Sequence, residues 1–388
     1  MKFLIPQGDL NRCLSIAGKS LLAKVNLPIL STVLIKTTKN KLELVSTNLE
    51  TATLVTVNCT VEQEGTVATG GRTLLEFVSQ LGDSEVSVEK LGEELVVSTK
   101  TNSARVPTMP IEDFPVIPKI TDGLLIKLKI KDFIKAVLRV AFCAASDEGR
   151  PILTGVLVEL GKQSLTMVAT DGYRLGYVKI PAEVPKLEAL KINVPARAII
   201  EVVKIIEEMA PRDEQEKTKE DEDEIAIVVA KNTSQVVFKV GEVEFTSRLI
   251  EGEYPNWQKI IPVDFKTRVK LIKLEFGKLV RIASIFARDS GNIVRLKFDN
   301  AQGKKLGLLE VSANTNQVGS SESQMEVEMS GKGGEIAFNF RYLLEVLSII
   351  EEDEIYFEMI ESLNPGRITA GADSRDFFHI IMPVRLQV

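Results

Sequence analysis

The feature that most restricts the fold of this chain is an internal repeat. Residues 29–47 align without a gap with residues 152–170, at an offset of 123 residues (152 − 29). Each copy carries two apolar runs on either side of a polar turn, which predicts a pair of antiparallel strands. The positions that are identical in both copies are Ile29/Ile152, Leu30/Leu153, Val33/Val156, Leu34/Leu157, Leu42/Leu165, Val45/Val168 and Thr47/Thr170. One supersecondary unit therefore occurs at least twice, which favours an architecture of repeated modules.

A short helical motif indicates that the unit occurs three times. Heptads of the form Arg-x-[Leu/Ile]-[Leu/Ile]-Glu-[Phe/Val]-[Val/Leu] begin at Arg72, Arg197 and Arg341. Each heptad follows predicted strands and an earlier amphipathic helix, so the order helix, strands, helix, strands recurs. The sequence therefore predicts an α+β fold of three modules, at residues 1–120, 121–262 and 263–388. The wider interval before the third heptad fits an acidic insert at 211–224, which we expect to be a solvated loop.

Length and composition are those of a protein with several hydrophobic cores. The chain has 388 residues, of which 44% are hydrophobic and 26% charged. No apolar run approaches the roughly 20 residues of a membrane span, and the first residues lack the pattern of a signal peptide. The three cysteines, Cys13, Cys59 and Cys143, are widely spaced and odd in number, as expected for reduced thiols. We expect a cytoplasmic protein without a membrane partner.

The residues that could carry catalysis do not form a recognisable constellation. Gly18-Lys19-Ser20 looks like the end of a phosphate loop, but Cys13 stands where that loop needs a glycine. A nucleotide-dependent enzyme built on this segment is the alternative that the sequence leaves open. His379 is the only histidine and lies in a predicted strand, so we expect a packed residue and not a base. Asp171-Gly172 is first of all a turn former. The sequence predicts a protein that is not an enzyme and binds neither metal nor cofactor.

The distribution of charge points to nucleic acid. The net charge of −6 excludes binding through bulk charge, but it leaves room for a local basic surface. The first helix of the second module carries cations at i, i+4 and i+8, and the first helix of the third module carries three more. These residues are Lys131, Lys135 and Arg139, followed by Lys278, Arg281 and Arg288. For one helix a solvated face is the simpler reading, but repetition would bring such stripes to one side of an assembly. Cations without interleaved aromatic residues favour weak, salt-sensitive contacts with duplex phosphates.

Five stretches are characteristic when taken in this order over the full length: Asn26-Leu-Pro-Ile-Leu30, Asp147-Glu-Gly-Arg-Pro-Ile-Leu-Thr-Gly155, Ala169-Thr-Asp-Gly-Tyr-Arg-Leu175, Phe245-Thr-Ser-Arg-Leu249 and Met382-Pro-Val-Arg-Leu386. With these stretches and three modules, the whole chain resembles the family of bacterial DNA polymerase III beta subunits, the sliding clamps. The resemblance implies a head-to-tail homodimer in which six modules close a ring around double-stranded DNA, whatever its sequence. It also implies short linear peptides as ligands, supplied by the replicative DNA polymerase, the clamp loader and repair proteins. A repeat scaffold that binds proteins without encircling DNA is the second alternative.

The resemblance assigns roles to individual residues. The DNA-facing positions are Lys24, Arg72, Arg150 and Arg197, to which helical spacing adds Lys135, Arg139 and Arg281. The peptide groove corresponds to Leu153, Thr170, Gly172, Tyr173, Arg174, Leu175, Pro255, Lys259, Ile260, Ile380, Met382, Pro383, Val384, Arg385 and Leu386. Arg174 and Arg385 are expected on its rim, where they suit acidic or polar neighbours of apolar anchors. Ile285 and Phe286 match the apolar contact of the dimer seam.

Three groove positions depart from the family pattern, which leaves the exact peptide preference open. Tyr173 stands in place of a common histidine, Lys259 in place of an arginine and Val384 in place of a methionine. The first-module copy carries Asn48-Leu49-Glu50 where the second carries Asp171-Gly172-Tyr173. This difference predicts one groove per chain, in the second module, facing residues 382–386.

Overall fold

The structure is a computed structural model that describes most of the chain. The described residues are 1–21, 27–118, 120, 122–147, 149–183, 190–210, 224–231, 234–262, 264–300, 306–315, 319–372 and 374–385. Lys24, Leu386 and all but the last residue of the acidic insert lie outside them. Within them, no helix is long and apolar enough to cross a membrane.

Six α-helices form in the described ranges, two for each predicted module. They are α1 (Gln7–Gly18), α2 (Gly71–Ser79), α3 (Ile130–Val140), α4 (Ala196–Met209), α5 (Lys273–Ala287) and α6 (Phe340–Ile349). The even-numbered helices each begin one residue before a heptad arginine. The odd-numbered helices bury apolar residues at helical spacing, as α1 does with Leu10, Leu14 and Ala17.

The strands are short and their partners are antiparallel. In the first part of the chain they are β1 (Lys2–Pro6), β2 (Thr32–Thr38), β3 (Lys41–Thr47), β4 (Thr51–Asn58), β5 (Thr60–Gln63), β6 (Gly65–Gly70), β7 (Glu85–Leu91), β8 (Glu94–Ser98), β9 (Ser103–Met109) and β10 (Gly123–Lys129). Then come β11 (Gly155–Leu160), β12 (Ser164–Thr170), β13 (Arg174–Pro181), β14 (Lys191–Pro195), β15 (Glu224–Ala230), β16 (Gln235–Val240) and β17 (Val243–Arg248). The last are β18 (Thr267–Ile272), β19 (Ile293–Asp299), β20 (Leu306–Thr315), β21 (Gly319–Gly331), β22 (Gly333–Asn339), β23 (Glu354–Met359), β24 (Gly366–Thr369) and β25 (Phe377–Ile381).

The chain folds into two compact units, and their division runs through the second predicted module. The first unit comprises Met1–Phe133, Ala182–Leu187 and Arg197–Ile250, and the second comprises Ile134–Pro181, Glu188–Ala196 and Glu251–Val388. The first holds a 13-stranded sheet in the order β10-β15-β16-β17-β4-β3-β2-β6-β9-β8-β7-β1-β5. The second holds a 12-stranded sheet in the order β14-β11-β12-β13-β25-β24-β23-β18-β21-β20-β19-β22. Helices packed on antiparallel sheets confirm the α+β prediction.

Each sheet is continuous across a boundary between predicted modules. In the first unit β17 pairs with β4, with Thr246 opposite Ala52. In the second unit β25 pairs with β13, with Ile380 opposite Leu175. Since Ala52 and Leu175 are related by the repeat offset of 123 residues, the two junctions are built alike.

Candidate functional site

The turn between β12 and β13 is held by a dense set of local hydrogen bonds. The Asp171 carboxylate accepts the N–H groups of Tyr173 and Arg174 at 2.9 and 3.0 Å. The Thr170 hydroxyl donates to the Arg174 carbonyl at 2.6 Å and accepts the Gly172 N–H at 3.0 Å. Gly172 has a φ of +90°, in the left-handed region that glycine adopts readily. The turn therefore presents Tyr173, whose exposed fraction is 60%, in a fixed backbone frame.

The first module contains the same turn with different side chains. The Asn48 amide oxygen accepts the N–H groups of Glu50 and Thr51, at 3.0 and 2.6 Å. The Thr47 hydroxyl donates to the Thr51 carbonyl at 2.8 Å, and Leu49 has a φ of +74°. The repeat detected in the sequence is thus reproduced down to individual hydrogen bonds.

A buried aromatic and aliphatic cluster lies beneath the turn of the second module. Its members are Ala145, Leu153, Leu157, Val168, Leu175, Tyr254, Trp257, Phe378 and Ile380, with Ile152, Tyr177, Ile260 and Ile261 packed against them. The Tyr177 ring stacks on Phe378 at 4.4 Å between centroids. The Tyr254 hydroxyl accepts the Thr170 N–H at 3.1 Å, and burial raises the pKa of Tyr254. A cavity of about 350 Å³ adjoins Tyr254 and Pro255.

The carboxy-terminal segment forms the second wall of this site. The Met382 N–H donates to the Tyr173 carbonyl at 2.8 Å, and the Val384 N–H donates to the Ala337 carbonyl at 2.8 Å. All described members of the predicted groove belong to the second unit. Tyr173, Pro255, Lys259 and Arg385 are exposed, whereas Ile260 and residues 382–384 are half-buried. The arrangement is an apolar surface with a mixed polar edge, which suits the capture of a short extended peptide.

Arg174 is not a rim cation, contrary to the expectation from the sequence. Its Nε donates to Asp171 at 3.1 Å, its Nη2 donates to the Phe142 carbonyl at 2.7 Å, and its Nη1 pairs with Glu345. The guanidinium also lies over the Tyr342 ring at 4.7 Å, and its side chain is only 10% exposed. These contacts make Arg174 a strut that ties the turn to α6, because its Nε, Nη1 and Nη2 atoms are all engaged by groups of the same unit.

Sequence reasoning missed several residues of this site. Glu345 is the fifth residue of the third heptad, so its place in a repeated motif was a signal for a shared role. Trp257, the only tryptophan, and Tyr254 lie under the groove although neither was assigned to it. The signal that the sequence offered for them was that both are aromatic residues in a segment that contains a proline.

Cys143 and His379 form a buried, uncharged pair near Arg174. The Cys143 Sγ and His379 Nδ1 atoms are 3.6 Å apart, and His379 stacks on Phe142 at 5.5 Å. Desolvation, with a smaller contribution from Arg174, lowers the pKa of His379 to about 3. Burial also raises the pKa of the Cys143 thiol well above its usual range. His379 is thus a packed residue of β25.

The predicted basic residues differ in what they contact. Arg72 and Arg197 are exposed at the starts of α2 and α4, and Arg281 is exposed on α5. Arg150 is also exposed, with its Nη1 2.9 Å from the position that a Cβ on Gly172 would take.

Two members of the predicted basic stripe on α3 are instead bound to acids of the same unit. The Lys135 Nζ lies 2.6 Å from Glu351, and the Arg139 Nη2 lies 2.9 Å from Glu352. Arg139 is buried, with 8% of its surface exposed, and its guanidinium lies over the Phe377 ring. The expectation that Arg139 belongs to an outward-facing stripe is therefore wrong, since its cation is engaged in an internal pair.

The segment that looks like a phosphate loop has structural contacts. Lys19 pairs with Glu208 at 3.1 Å, and the buried Ser20 hydroxyl bonds the Thr53 hydroxyl at 2.7 Å. Both groups that would hold a phosphate are occupied at the end of a helix, which removes the support for a nucleotide site. Over the described ranges, no group of three or more His, Cys, Asp or Glu residues could hold a metal ion.

Two residues assigned to a dimer seam lie late in α5. Ile285 is 55% exposed, and Phe286 is half-buried. An exposed isoleucine in a helix is ordinary by itself, but Leu274 and Ile282 of the same helix are also 67% and 37% exposed. The exposed side of α5 is thus unusually apolar.

Comparison with known proteins covers the chain from end to end. Family models described as the N-terminal, central and C-terminal domains of the DNA polymerase III beta subunit match residues 1–118, 127–256 and 258–385. The beta sliding clamp of Synechocystis sp. is 25% identical over 406 residues, and that of Pseudomonas aeruginosa is 26% identical over 388. In both cases all of each chain is covered.

Solved structures agree with these matches. The DNA polymerase III beta subunits of Thermotoga maritima and Pseudomonas aeruginosa superpose with TM-scores of 0.88 and 0.89, each at 25% identity and over 100% of both chains. A similar sliding clamp from Pseudomonas aeruginosa, bound to griselimycin, has a TM-score of 0.88 at 26% identity. The chain therefore belongs to the bacterial DNA polymerase III beta subunit family, the sliding clamps.

Proposed function

We propose that this protein is a DNA sliding clamp that closes around duplex DNA as a head-to-tail homodimer and tethers a replicative polymerase. The full-length match to all three beta subunit domains carries this proposal. A closed ring cannot leave circular DNA by diffusion, so processive synthesis needs no tight grip on the duplex. The family acts without catalysis, and the chain is a non-enzymatic processivity factor.

Two half-open strands support the head-to-tail dimer. Residues 103–107 of β9 pair only with β8, and residues 319–327 of β21 pair only with β20, as far as the described ranges go. Each leaves a row of backbone donors and acceptors that a strand from another chain can satisfy. β9 carries the exposed Arg105, and β21 carries the exposed Glu322 and Glu326. Joining β9 of one copy to β21 of the other is a heterologous contact, and the proposed dimer requires that its rotation close the ring after two copies.

The exposed arginines supply the proposed contacts with DNA. Arg72, Arg150, Arg197 and Arg281 are the candidates, together with Lys24. Replacing one phosphate-binding cation with alanine is expected to reduce the slope of log affinity against log salt by about 0.9. Such contacts are nearly equal in energy at every base pair, so they allow sliding.

The groove of the second unit is the proposed site for partner peptides. Apolar anchors fit over Leu153, Leu175 and Ile380, while Arg385 and Lys259 offer cations at the edge. A labelled peptide with two apolar anchors and an acidic residue is expected to bind the wild type. Tyr173→Ala should weaken binding, since that ring is exposed at the groove. The matched control is Glu50→Ala, which changes the repeat-equivalent position of the first module.

The ring mechanism is tested by topology. After loading onto nicked circular DNA by a bacterial clamp loader, the protein should remain bound through gel filtration. Cutting the circle at one site should then release it. Retention on the linear product, or a mass near one chain of 42.8 kDa at micromolar concentration, would contradict the proposal. Retention on linear DNA would favour a repeat scaffold that binds its partners without encirclement.

A further inference from the structure

Within each unit, ion pairs link the first helix of one module to the end of the second helix of the next. In the second unit Lys135 and Arg139 of α3 bind Glu351 and Glu352, which directly follow α6. In the first unit Lys19, at the end of α1, binds Glu208 in the last turn of α4. A cation of a preceding module is thus matched by an acid of the following one.

The acids at the two junctions occupy the same place in the repeat. Glu208 lies 11 residues after the heptad arginine Arg197 (208 − 197), and Glu352 lies 11 residues after Arg341 (352 − 341). The same count from Arg72 leads to Asp83, which is exposed just beyond α2. In the proposed head-to-tail ring the module before the first is the third module of another copy, so this scheme places the partner of Asp83 there.

The helix α5 offers the complementary surface. Aligning its buried Phe276 and Val280 with the buried Phe133 and Val137 of α3 gives an offset of 143 residues (276 − 133). The positions of α3, and of the turn directly after it, that contact the third module then correspond to exposed or partly exposed positions of α5. They are Lys135/Lys278, Arg139/Ile282 and Phe142/Ile285. In the proposed ring this face of α5 meets the first module of another copy.

We infer that Asp83 of one copy forms an ion pair with Lys278 of a second copy, beside an apolar contact made by Ile282 and Ile285. The inference rests on the head-to-tail dimer proposed above and names the charges that set its register. Ile282 takes the place of Arg139, so the cation nearest to Asp83 comes from one turn earlier, at Lys278.

This pair selects the correct end of the partner. Opposite charges across an interface favour one alignment, while like charges in the reversed alignment oppose it. The ring would therefore join its copies, as it joins the modules inside each chain, by an ion pair to an acid at the end of the second helix, although the position of the cation differs from joint to joint. Because the link is partly exposed, its contribution should fall as salt rises.

Charge reversal tests the pair directly. Asp83→Lys alone and Lys278→Glu alone each place two like-charged seams in every dimer. Each should raise the dimer dissociation constant about tenfold at low salt, as measured by sedimentation at a series of dilutions. The control Lys162→Glu makes the same charge change at an exposed position in the turn between β11 and β12, and its dissociation constant should stay within about twofold of the wild type.

Mixing the two variants gives the sharpest result. A heterodimer of the two carries one native seam and one seam with exchanged charges, so it should form about as well as the wild-type dimer. The double variant should recover for the same reason. If the single variants dimerise like the wild type, or if mixing restores nothing, the inference is overturned while the dimer stands. A wild type that stays monomeric at all concentrations would overturn the dimer itself.

Discussion

Replacing Glu345 with glutamine is expected to weaken peptide binding, although Glu345 lies on α6 and not in the groove. Its carboxylate pairs with Arg174, which in turn holds the Asp171 carboxylate and the Phe142 carbonyl. The Arg174 side chain is 10% exposed and that of Glu345 is 47% exposed. A pair of this mixed exposure contributes about 1 kcal/mol, between a surface ion pair and a buried charged hydrogen bond. If losing the pair makes the peptide-binding form of the turn less stable by this free energy, the peptide dissociation constant rises about fivefold.

Fluorescence anisotropy of a labelled peptide measures this change. Glu201→Gln is the matched control, since Glu201 occupies the same heptad position on α4 and pairs only with the neighbouring Lys204 among its described contacts. It should bind like the wild type. Arg174→Ala should weaken binding more than Glu345→Gln, because it leaves the Asp171 carboxylate without this cation. If Arg174→Ala weakens binding and Glu345→Gln does not, Arg174 acts on the peptide itself and the strut interpretation is refuted.

Three further predictions concern a buried histidine, an exposed ion pair and two positions of positive φ. The free energy of unfolding should fall as the pH drops below about 6.5, with a slope of up to ~1.4 kcal/mol per pH unit. The reason is that unfolding lets His379 bind a proton that burial excludes until about pH 3. In His379→Phe the thermal midpoint should therefore change less between pH 5 and 7.5 than in the wild type. Glu351→Gln frees Lys135, so log affinity for linear duplex DNA should fall more steeply with log salt, by up to about 0.9 in slope, whereas an unchanged slope would place Lys135 away from the duplex. Leu49→Gly should raise the free energy of unfolding by about 1 kcal/mol, and Gly172→Leu should lower it by a similar amount, because both positions have positive φ. Equal thermal midpoints for the two variants would contradict this reasoning.

The repeat made much of the architecture predictable from the sequence. Matching strands and heptads indicated helices packed on antiparallel strands, and even the turn at Thr170 was marked by its copy at Thr47. Such features depend on residues close together in the chain, where spacing carries the information. The positions of His379 in a strand and of the Asp171-Gly172 turn followed from the same local rules.

The orientation of the cations was not predictable in this way. Arg139 and Arg174 sit at positions where helical and strand spacing allow exposure. What turns them inward is Glu352 and Glu345, which lie 213 and 171 residues further along the chain. Spacing within one element has no access to a partner on another module, so the sequence indicated charge but not its direction.

The reason for a single groove also differs from the one that the sequence suggested. The turns at Asn48 and Asp171 have the same backbone, so that difference does not remove a groove from the first module. The repeat-equivalents of Leu175, Phe378 and Ile380 are Ala52, Glu244 and Thr246. Small or polar residues there remove three apolar members of the floor at the first junction, although Leu30, Leu34 and Val45 keep the counterparts of Leu153, Leu157 and Val168. One groove per chain remains a prediction, which counting bound peptides per dimer can test.

A partner peptide in the groove proposed above would lie over the seam between β13 and β25, so its binding would be coupled to the pairing of these two strands. A peptide that rests on both Leu175 and Met382 binds only while those two strands stay paired. By mass action, such a ligand at 100 times its dissociation constant adds about 2.7 kcal/mol to the seam. A tethered partner therefore pulls on the same pair of strands, β13 and β25, that its binding stabilises. A clamp with a bound partner should therefore separate β13 from β25 less readily than a clamp without one.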